Sequence, residues 1–174
     1  MSAVTSMRGM FSQNKIFNQP IGTWDVGAVT SMNNIFYGAS VFNQSLSNWN
    51  VDNVIWWINS FKDTSSFTQD LSAWGAVSGN CNSMFQGSAM NKNIGSWDIS
   101  GVTSMEWMFA FSSFNQDLGW SVGSSVSISN IATSTACVET NCGVVQIGDP
   151  SQVRMASNAI SPDLRMLSLQ SQVR

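Results

Sequence analysis

The sequence contains no histidine and little charge of either sign. Without histidine, the usual Ser-His and Cys-His nucleophile pairs are absent. A zinc site is also disfavoured, because the chain has neither a histidine ligand nor a second cysteine pair. No phosphate-binding loop or EF-hand pattern occurs. The sequence therefore predicts a non-enzymatic protein with no cofactor and no bound metal.

Charged residues make up 10% of the chain, against about 25% in an average protein. Serine, asparagine, glutamine and threonine replace them, and such a neutral polar surface is typical of extracellular or assembled proteins. The net charge of −3 disfavours a nucleic-acid partner. Long apolar runs are missing as well, so no stretch of about 18 apolar residues predicts a transmembrane segment. No signal-peptide pattern is present at the start of the chain.

What the sequence does contain is a repeat of roughly 23 to 25 residues, which is typical of repeat architectures. Its copies start at Val4, Val29, Val54, Ser78 and Val102. Two aromatic rows recur at equivalent positions: Phe11, Phe36, Phe61, Phe85 and Phe109, and Trp24, Trp49, Trp74, Trp97 and Trp120. Both rows are predicted to face the core. Rows of asparagine and glutamine are predicted to bond between neighbouring repeats.

Spacing within one repeat predicts its local structure. Trp24 and Val26 are two residues apart, which places them on one face of a short strand. Val29, Met32 and Phe36 follow helical spacing, with Gly38 as a suitable helix end. The predicted fold is therefore an α/β repeat: a right-handed, leucine-rich-repeat-like solenoid of about five coils, with a short strand and a short helix in each coil.

The motif VTSM, followed by FNQ and a Trp-(Asp/Asn)-Val triplet, resembles the leucine-rich repeats of BspA-like surface proteins. The resemblance covers residues 3 to about 126. It implies a non-catalytic adhesion or interaction protein located outside the cell or on its surface. The family carries no fixed binding motif, so the resemblance transfers no site residue to this chain.

The third repeat departs most from the pattern. Ile55, Trp56 and Ile58 stand where the first two repeats have Thr, Ser and Arg or Asn. Three apolar residues at polar positions predict a partner-binding patch, because contiguous exposed apolar area usually marks an interface. Trp107, in the fifth repeat, is a further candidate. The alternative is that the C-terminal tail or a local rearrangement covers these residues.

The cysteines have two predicted roles. Cys81 occupies the methionine row and is predicted to be a buried apolar residue. Cys137 and Cys142 lie beyond the last clear repeat and are predicted to form a short disulfide in an oxidising compartment. The alternative for this pair is two free thiols in a loop.

The chain divides into a repeat region, 1–149, and a C-terminal tail, 150–174. The degenerate segment at about 126–149 is predicted to cap the repeats. The tail is basic, with Arg154, Arg165 and Arg174 against one acid, whereas the repeat region is acidic. This asymmetry predicts that the three arginines dock the tail on the repeats or on a partner. The first repeat begins at Val4 without a capping element, so we expect a fragment of a longer protein or another cover for this repeat.

Two functional hypotheses follow. The first is a protein-interaction or adhesion module of a surface-type repeat protein. The second is a small structural or accessory subunit docked in a larger, possibly membrane-associated assembly, as a peripheral subunit of an organelle or membrane complex. Both hypotheses include a protein partner.

Overall fold

The computed structural model describes residues 3–137 and 140–148. Its regular elements are short: the strands β1 (Gly79–Asn80), β2 (Val102–Ser104), β3 (Ser121–Val122) and β4 (Val145–Gln146), and a 3-10 helix, Thr140–Gly143. No α-helix occurs among the described residues. The predicted leucine-rich-repeat-like α/β solenoid, with a helix in each coil, is therefore wrong.

The segment predicted to be helical fails to be a helix because two residues in it adopt left-handed backbone conformations. In the second repeat these are Asn34 (φ 56°) and Gly38 (φ 67°). Left-handed residues interrupt a right-handed helix, and Gly and Asn adopt that conformation most readily. The same two positions are left-handed in all five copies and in the degenerate segment that follows them: Gly9, Asn34, Asn59, Ser83, Trp107 and Asn130, then Gln13, Gly38, Asp63, Gly87, Phe111 and Ser134.

This conformation turns alternate N–H groups sideways toward the next repeat. Met32, Asn34 and Phe36 donate to the carbonyls of Trp56, Ile58 and Ser60, at 2.9, 2.8 and 2.9 Å. An α-helix would instead bond each N–H to a carbonyl four residues earlier. Equivalent sideways bonds join every consecutive pair of repeats, from Met7→Ser31 to Phe111→Thr133. The backbone of each repeat is thus satisfied by its neighbour.

The core lies inside these connected repeats. The prediction for the Trp row is confirmed for Trp49, Trp74, Trp97 and Trp120, which are at most 4% exposed, whereas Trp24 is 41% exposed. Each buried indole of the row donates to a carbonyl of the preceding repeat, for example Trp49 Nε1 to Ile21 O at 3.0 Å. Rings of the Phe row pack on one another as well, with centroids 5.3 to 5.9 Å apart; the Phe36–Phe61 pair is tilted and the others are stacked.

The predicted bonding of the amide rows is confirmed. Asn18 Oδ1 accepts from the Asn43 N–H at 2.9 Å and from Gln44 Nε2 at 3.0 Å. Asn43 Oδ1 likewise accepts from the Thr68 N–H at 3.0 Å. These bonds hold neighbouring repeats in register, and all the groups that form them are uncharged.

A glycine accommodates the shortened fourth repeat. β1 pairs in parallel with β2, and the register shifts between Gly79 and Asn80. Gly79 has φ +73°, and a Cβ there would overlap the carbonyl of Ile55. Only glycine fits so close an approach at a positive φ.

At the C-terminal side, β3 pairs in parallel with β4. Cys137 and Cys142 form a disulfide in this region, and Cys142 lies within the 3-10 helix. The cap boundary at 149 and the tail at 150–174 lie outside the described residues, so that division of the chain stays a prediction.

Replacing Ser83 by glycine tests the left-handed conformation. Ser83 has φ 56°, where glycine carries no steric cost, so Ser83→Gly should raise the free energy of unfolding by about 1 kcal/mol. In a helix the same change would lower it by a similar amount. Urea unfolding measures the sign. Ser129→Gly is the control, since Ser129 has no positive φ and should lose stability.

The buried indole N–H of Trp57 provides a second test of the structure. Trp57 is fully buried and its Nε1 has no hydrogen-bond partner among the described residues, whereas Trp74 Nε1 donates to Leu46 O at 3.0 Å. Trp74→Phe should therefore lower the free energy of unfolding by about 2 kcal/mol more than Trp57→Phe. The first substitution leaves the Leu46 carbonyl without its donor, whereas the second removes an N–H group that has no acceptor. Equal losses in chemical denaturation would show that the Trp57 indole is satisfied.

Candidate functional site

Ile55 and Trp56 form an exposed apolar pair on the outer face of the third repeat. They are 45% and 46% exposed. Backbone pairing places Trp56 between Ser31 and Asn80, and Ile55 next to Thr30. Their equivalents in the first two repeats are Ser and Thr, so the pair projects from an otherwise polar face.

A groove of about 420 Å³ adjoins this pair. We call it the Trp56 groove; its lining is Ile55, Trp56, Ser78, Gly79, Asn80, Gly101 and Thr103. Ile55 and Trp56 form one wall, and Gly79 and Gly101 approach neighbouring segments of the chain too closely to carry side chains. None of the lining residues is charged. The groove therefore suits an uncharged, largely apolar group.

The structure does not bring all four predicted patch residues together. Ile58 is half-buried, and its N–H donates to Asn33 Oδ1 at 2.8 Å. Trp107 does not line the Trp56 groove. It stacks instead on Phe111, with ring centroids 6.2 Å apart and planes 15° from parallel. The partner-binding role of these residues stays a prediction.

Phe111 is an exposed aromatic residue that the sequence reasoning missed. It is 56% exposed, and both it and Trp107 have a positive φ of 57° to 58°. Bulky side chains rarely adopt this conformation. Its equivalents in the other repeats are Gln13, Gly38, Asp63, Gly87 and Ser134. Aligning this left-handed row would have revealed the substitution.

The carboxylates of Asp70 and Asp98 accept backbone hydrogen bonds within turns. Asp70 Oδ1 accepts from the Ser72 N–H at 2.8 Å, and Asp98 Oδ1 from the Ser100 N–H at 2.9 Å. These backbone bonds lower the pKa of both carboxyls below the ordinary value. Both groups are therefore anions at neutral pH and are unsuited to donate a proton. No group of three or more potential metal ligands occurs in the part of the chain that the structure describes.

The predicted cysteines and arginines do not line the Trp56 groove. Cys81 is buried, as predicted, and 1% exposed. Cys137 and Cys142 are bonded to each other, and Cys137 is half-buried. The arginines of the tail, Arg154, Arg165 and Arg174, lie outside the described residues. Their docking role stays a prediction.

Comparison with protein families shows which family the repeats belong to. The model of the family described as "Mycoplasma protein of unknown function, DUF285" matches residues 1–89 and, separately, residues 76–146. The chain belongs to this family. The two matches together cover the repeats on which the Trp56 groove is built. The family's description states no activity.

Two other comparisons found nothing: neither the curated proteins nor the solved structures include a match to the chain. Across residues 3–137 and 140–148, no helix has the length and apolar character needed to cross a bilayer.

Burial of Cys81 makes a pH-dependent prediction. Burial raises the pKa of its thiol from 9.0 to about 12. In the unfolded chain the thiol ionises near its ordinary pKa, so stability present below pH 9 is lost as the pH rises from 9 to 12, by about 1.4 kcal/mol per pH unit. The free energy of unfolding of the wild type and of Cys81→Val should be measured across this pH range. Only the wild type should show the loss of stability that ionisation of the Cys81 thiol causes.

Proposed function

We propose that the protein is a non-catalytic interaction module of a surface-type repeat protein and that it binds a protein partner through Ile55, Trp56 and the Trp56 groove. The exposed Ile55–Trp56 pair carries this proposal. Tryptophan is the residue most enriched among side chains that dominate interface energetics. The adjoining groove can accept an apolar side chain from the partner.

The chemistry of the surroundings supports a specific rather than a general apolar contact. Thr30 and Ser31 lie beside the pair in the preceding repeat, and Ser78, Asn80 and Thr103 of the two following repeats complete the groove. An apolar centre with a polar rim is the usual anatomy of a protein interface. The side-chain amide of Asn80 accepts from the Asn82 N–H through Oδ1, at 3.0 Å. Its Nδ2 donates to no residue in the described part of the chain, so it is a donor that a partner could use.

We further propose an extracellular or cell-surface location. Membership of a family described from Mycoplasma and the resemblance of the VTSM and FNQ motifs to BspA-like surface proteins support this location. The Cys137–Cys142 disulfide supports it as well, since disulfides persist in oxidising compartments. Peripheral attachment of this module needs no membrane-spanning segment of its own.

The second candidate function, an accessory subunit of a larger assembly, is favoured by a different observation. Val4, Met10 and Trp24 at the outer side of the first repeat are between 41% and 56% exposed. Apolar side chains of this kind are usually covered when a protein is part of an assembly. This candidate predicts docking through the first repeat rather than through the Trp56 groove.

A cell-binding assay tests the first proposal. Fluorescent wild-type protein and the double variant Ile55→Thr/Trp56→Ser, which restores the residues of the second repeat, are incubated with cultured epithelial cells and measured by flow cytometry. We expect the double variant to bind about 30-fold more weakly, since an interface hot spot contributes about 2 kcal/mol or more. Trypsin treatment of the cells should abolish binding of the wild type.

The control is Ile16→Ser, which removes a side chain that is 89% exposed and lies outside the groove. It should bind like the wild type. Equal binding by the double variant would exclude the Trp56 groove as the interface, and binding that survives trypsin would exclude a protein partner. A wild type that binds no cells would favour the accessory-subunit candidate.

A further inference from the structure

Trp107 and Phe111 form a stacked aromatic pair on the surface of the fifth repeat. Their ring centroids lie 6.2 Å apart, and the planes are 15° from parallel. Phe111 is 56% exposed and Trp107 is half-buried. The hydrophobic core contains their neighbours Met108 and Phe109 but neither member of the pair. The pair is therefore an aromatic surface outside the core, and it does not line the Trp56 groove.

Ala110, which lies between the two aromatic residues in the sequence, is completely buried. The equivalent residues of the other repeats and of the following segment are only half-buried: Ser12, Tyr37, Lys62, Gln86 and Thr133. Ala110 does not belong to the hydrophobic core. The flanking rings of Trp107 and Phe111 explain its burial, so the pair closes over its own backbone and forms one apolar surface.

The backbone holds both aromatic residues at a positive φ, 58° at Trp107 and 57° at Phe111. Bulky residues rarely adopt this conformation, because the Cβ then lies too close to a carbonyl oxygen. All other residues in these two left-handed rows are glycine or polar: Gly9, Asn34, Asn59, Ser83 and Asn130, then Gln13, Gly38, Asp63, Gly87 and Ser134. The fold accepts residues without a ring at both positions, so folding does not require the aromatic pair.

Uncharged hydroxyl and amide groups lie beside the pair. The N–H groups of Trp107 and Phe111 donate to the carbonyls of Ser129 and Thr133, at 3.1 and 2.8 Å, which places the following segment alongside. The fourth repeat lies on the other side, where the Gly87 N–H donates to Ala110 O at 2.9 Å. Five polar side chains in these two neighbours form no hydrogen bond within residues 3–137 and 140–148: Ser83, Gln86, Asn130, Thr133 and Ser134. They are donors and acceptors that a ligand could use.

This surface carries almost no charge. Its positions are 82–83, 86–87, 106–107, 110–111, 129–130 and 133–134, and among them only Glu106 is charged. Glu106 accepts a hydrogen bond from the Ser127 hydroxyl. An anionic ligand would therefore meet no lysine or arginine here, and a cationic one would meet a single carboxylate. The surface suits a neutral ligand that combines an apolar face with hydroxyl groups.

We propose that Trp107 and Phe111 form a binding site for a neutral oligosaccharide. A pyranose ring carries C–H groups on its face and hydroxyl groups around its edge. The C–H groups pack on the electron-rich faces of aromatic rings, and the hydroxyl groups exchange hydrogen bonds with the serine, threonine and amide side chains of the neighbouring repeats. The site is separate from the Trp56 groove and does not depend on the protein partner proposed there.

Binding of the full chain to a glycan array tests this proposal. The array carries neutral oligosaccharides, among them cellohexaose, chitohexaose and maltohexaose, and anionic ones such as sialyllactose and a chondroitin sulfate hexasaccharide. We expect binding to at least one neutral oligosaccharide, and titration calorimetry then gives the Kd for it. Absence of binding to every neutral oligosaccharide would overturn the proposal, as would binding restricted to the anionic ones.

Phe111→Gly separates binding from folding. Glycine stands at this position in the fourth repeat and adopts a positive φ without steric cost. The variant should bind the neutral oligosaccharide about 10-fold more weakly or worse, because one aromatic face is lost. Its urea midpoint should be no lower than that of the wild type, so the weaker binding does not reflect unfolding. Normal binding by this variant would overturn the proposal. Trp107→Asn, which introduces the residue of the following segment, provides the same test if Phe111→Gly does not fold.

Two controls locate the site. Tyr37→Ser removes an aromatic side chain from the row of Ala110 but in the second repeat, and Ile55→Thr/Trp56→Ser alters the Trp56 groove. Both should bind the oligosaccharide with the wild-type Kd. Loss of binding in either would place the site elsewhere and overturn the proposal. Since the double variant should lose cell binding and keep oligosaccharide binding, failure of one proposed site is distinguishable from failure of the other.

Discussion

The sideways backbone hydrogen bond between repeats is the interaction on which the rest of the structure depends. Each repeat turns alternate N–H groups outward, as Met32 and Asn34 do toward Trp56 and Ile58. Because buried backbone groups that lack a partner are costly, one repeat alone would be unstable. Its neighbours satisfy the backbone and cover the apolar rows at the same time. Stability is therefore shared between neighbouring repeats, and the outermost repeats are the exceptions.

This constraint divides the positions of a repeat into two kinds. At positions that face the backbone of a neighbouring repeat, few residue types fit. Gly79 is one of them, because a Cβ there would overlap the Ile55 carbonyl. Positions on the outer face make no such contact, so Ser can become Trp56 without disturbing the pairing with Ser31 and Asn80. The Trp56 groove combines both kinds. Its glycine floor follows from backbone approach, and its aromatic wall is free to carry specificity.

The periodicity of the sequence was enough to predict which side chains are buried, but it could not distinguish a helix from the observed turns. Val29, Met32 and Phe36 are buried in either case, since both structures place these spacings on one face. The backbone signal was elsewhere, in Asn34 and Gly38, which favour positive φ. The outer pair Ile55 and Trp56 was predictable because both residues depart from an aligned row. Phe111 was missed because its row of left-handed positions shares no side-chain chemistry; only alignment of the repeats by residue number places it beside Gln13, Gly38 and Asp63.

The departures from the repeat share a physical property: each has a cost in folding that the regular residue would not have. Trp57 buries an indole N–H without a partner, whereas the methionine of other repeats has none to bury. Phe111 holds a bulky side chain at φ 57°. Trp56 stays 46% exposed, so it adds little of the burial that stabilises the fold. Since regular residues at these positions would fold with less cost, stability does not explain the departures. For Trp56 and Phe111, the explanation that we propose is an interaction with another molecule, because exposed aromatic side chains contribute most to free energy when a partner covers them. Trp57 is fully buried, so such an interaction does not account for it.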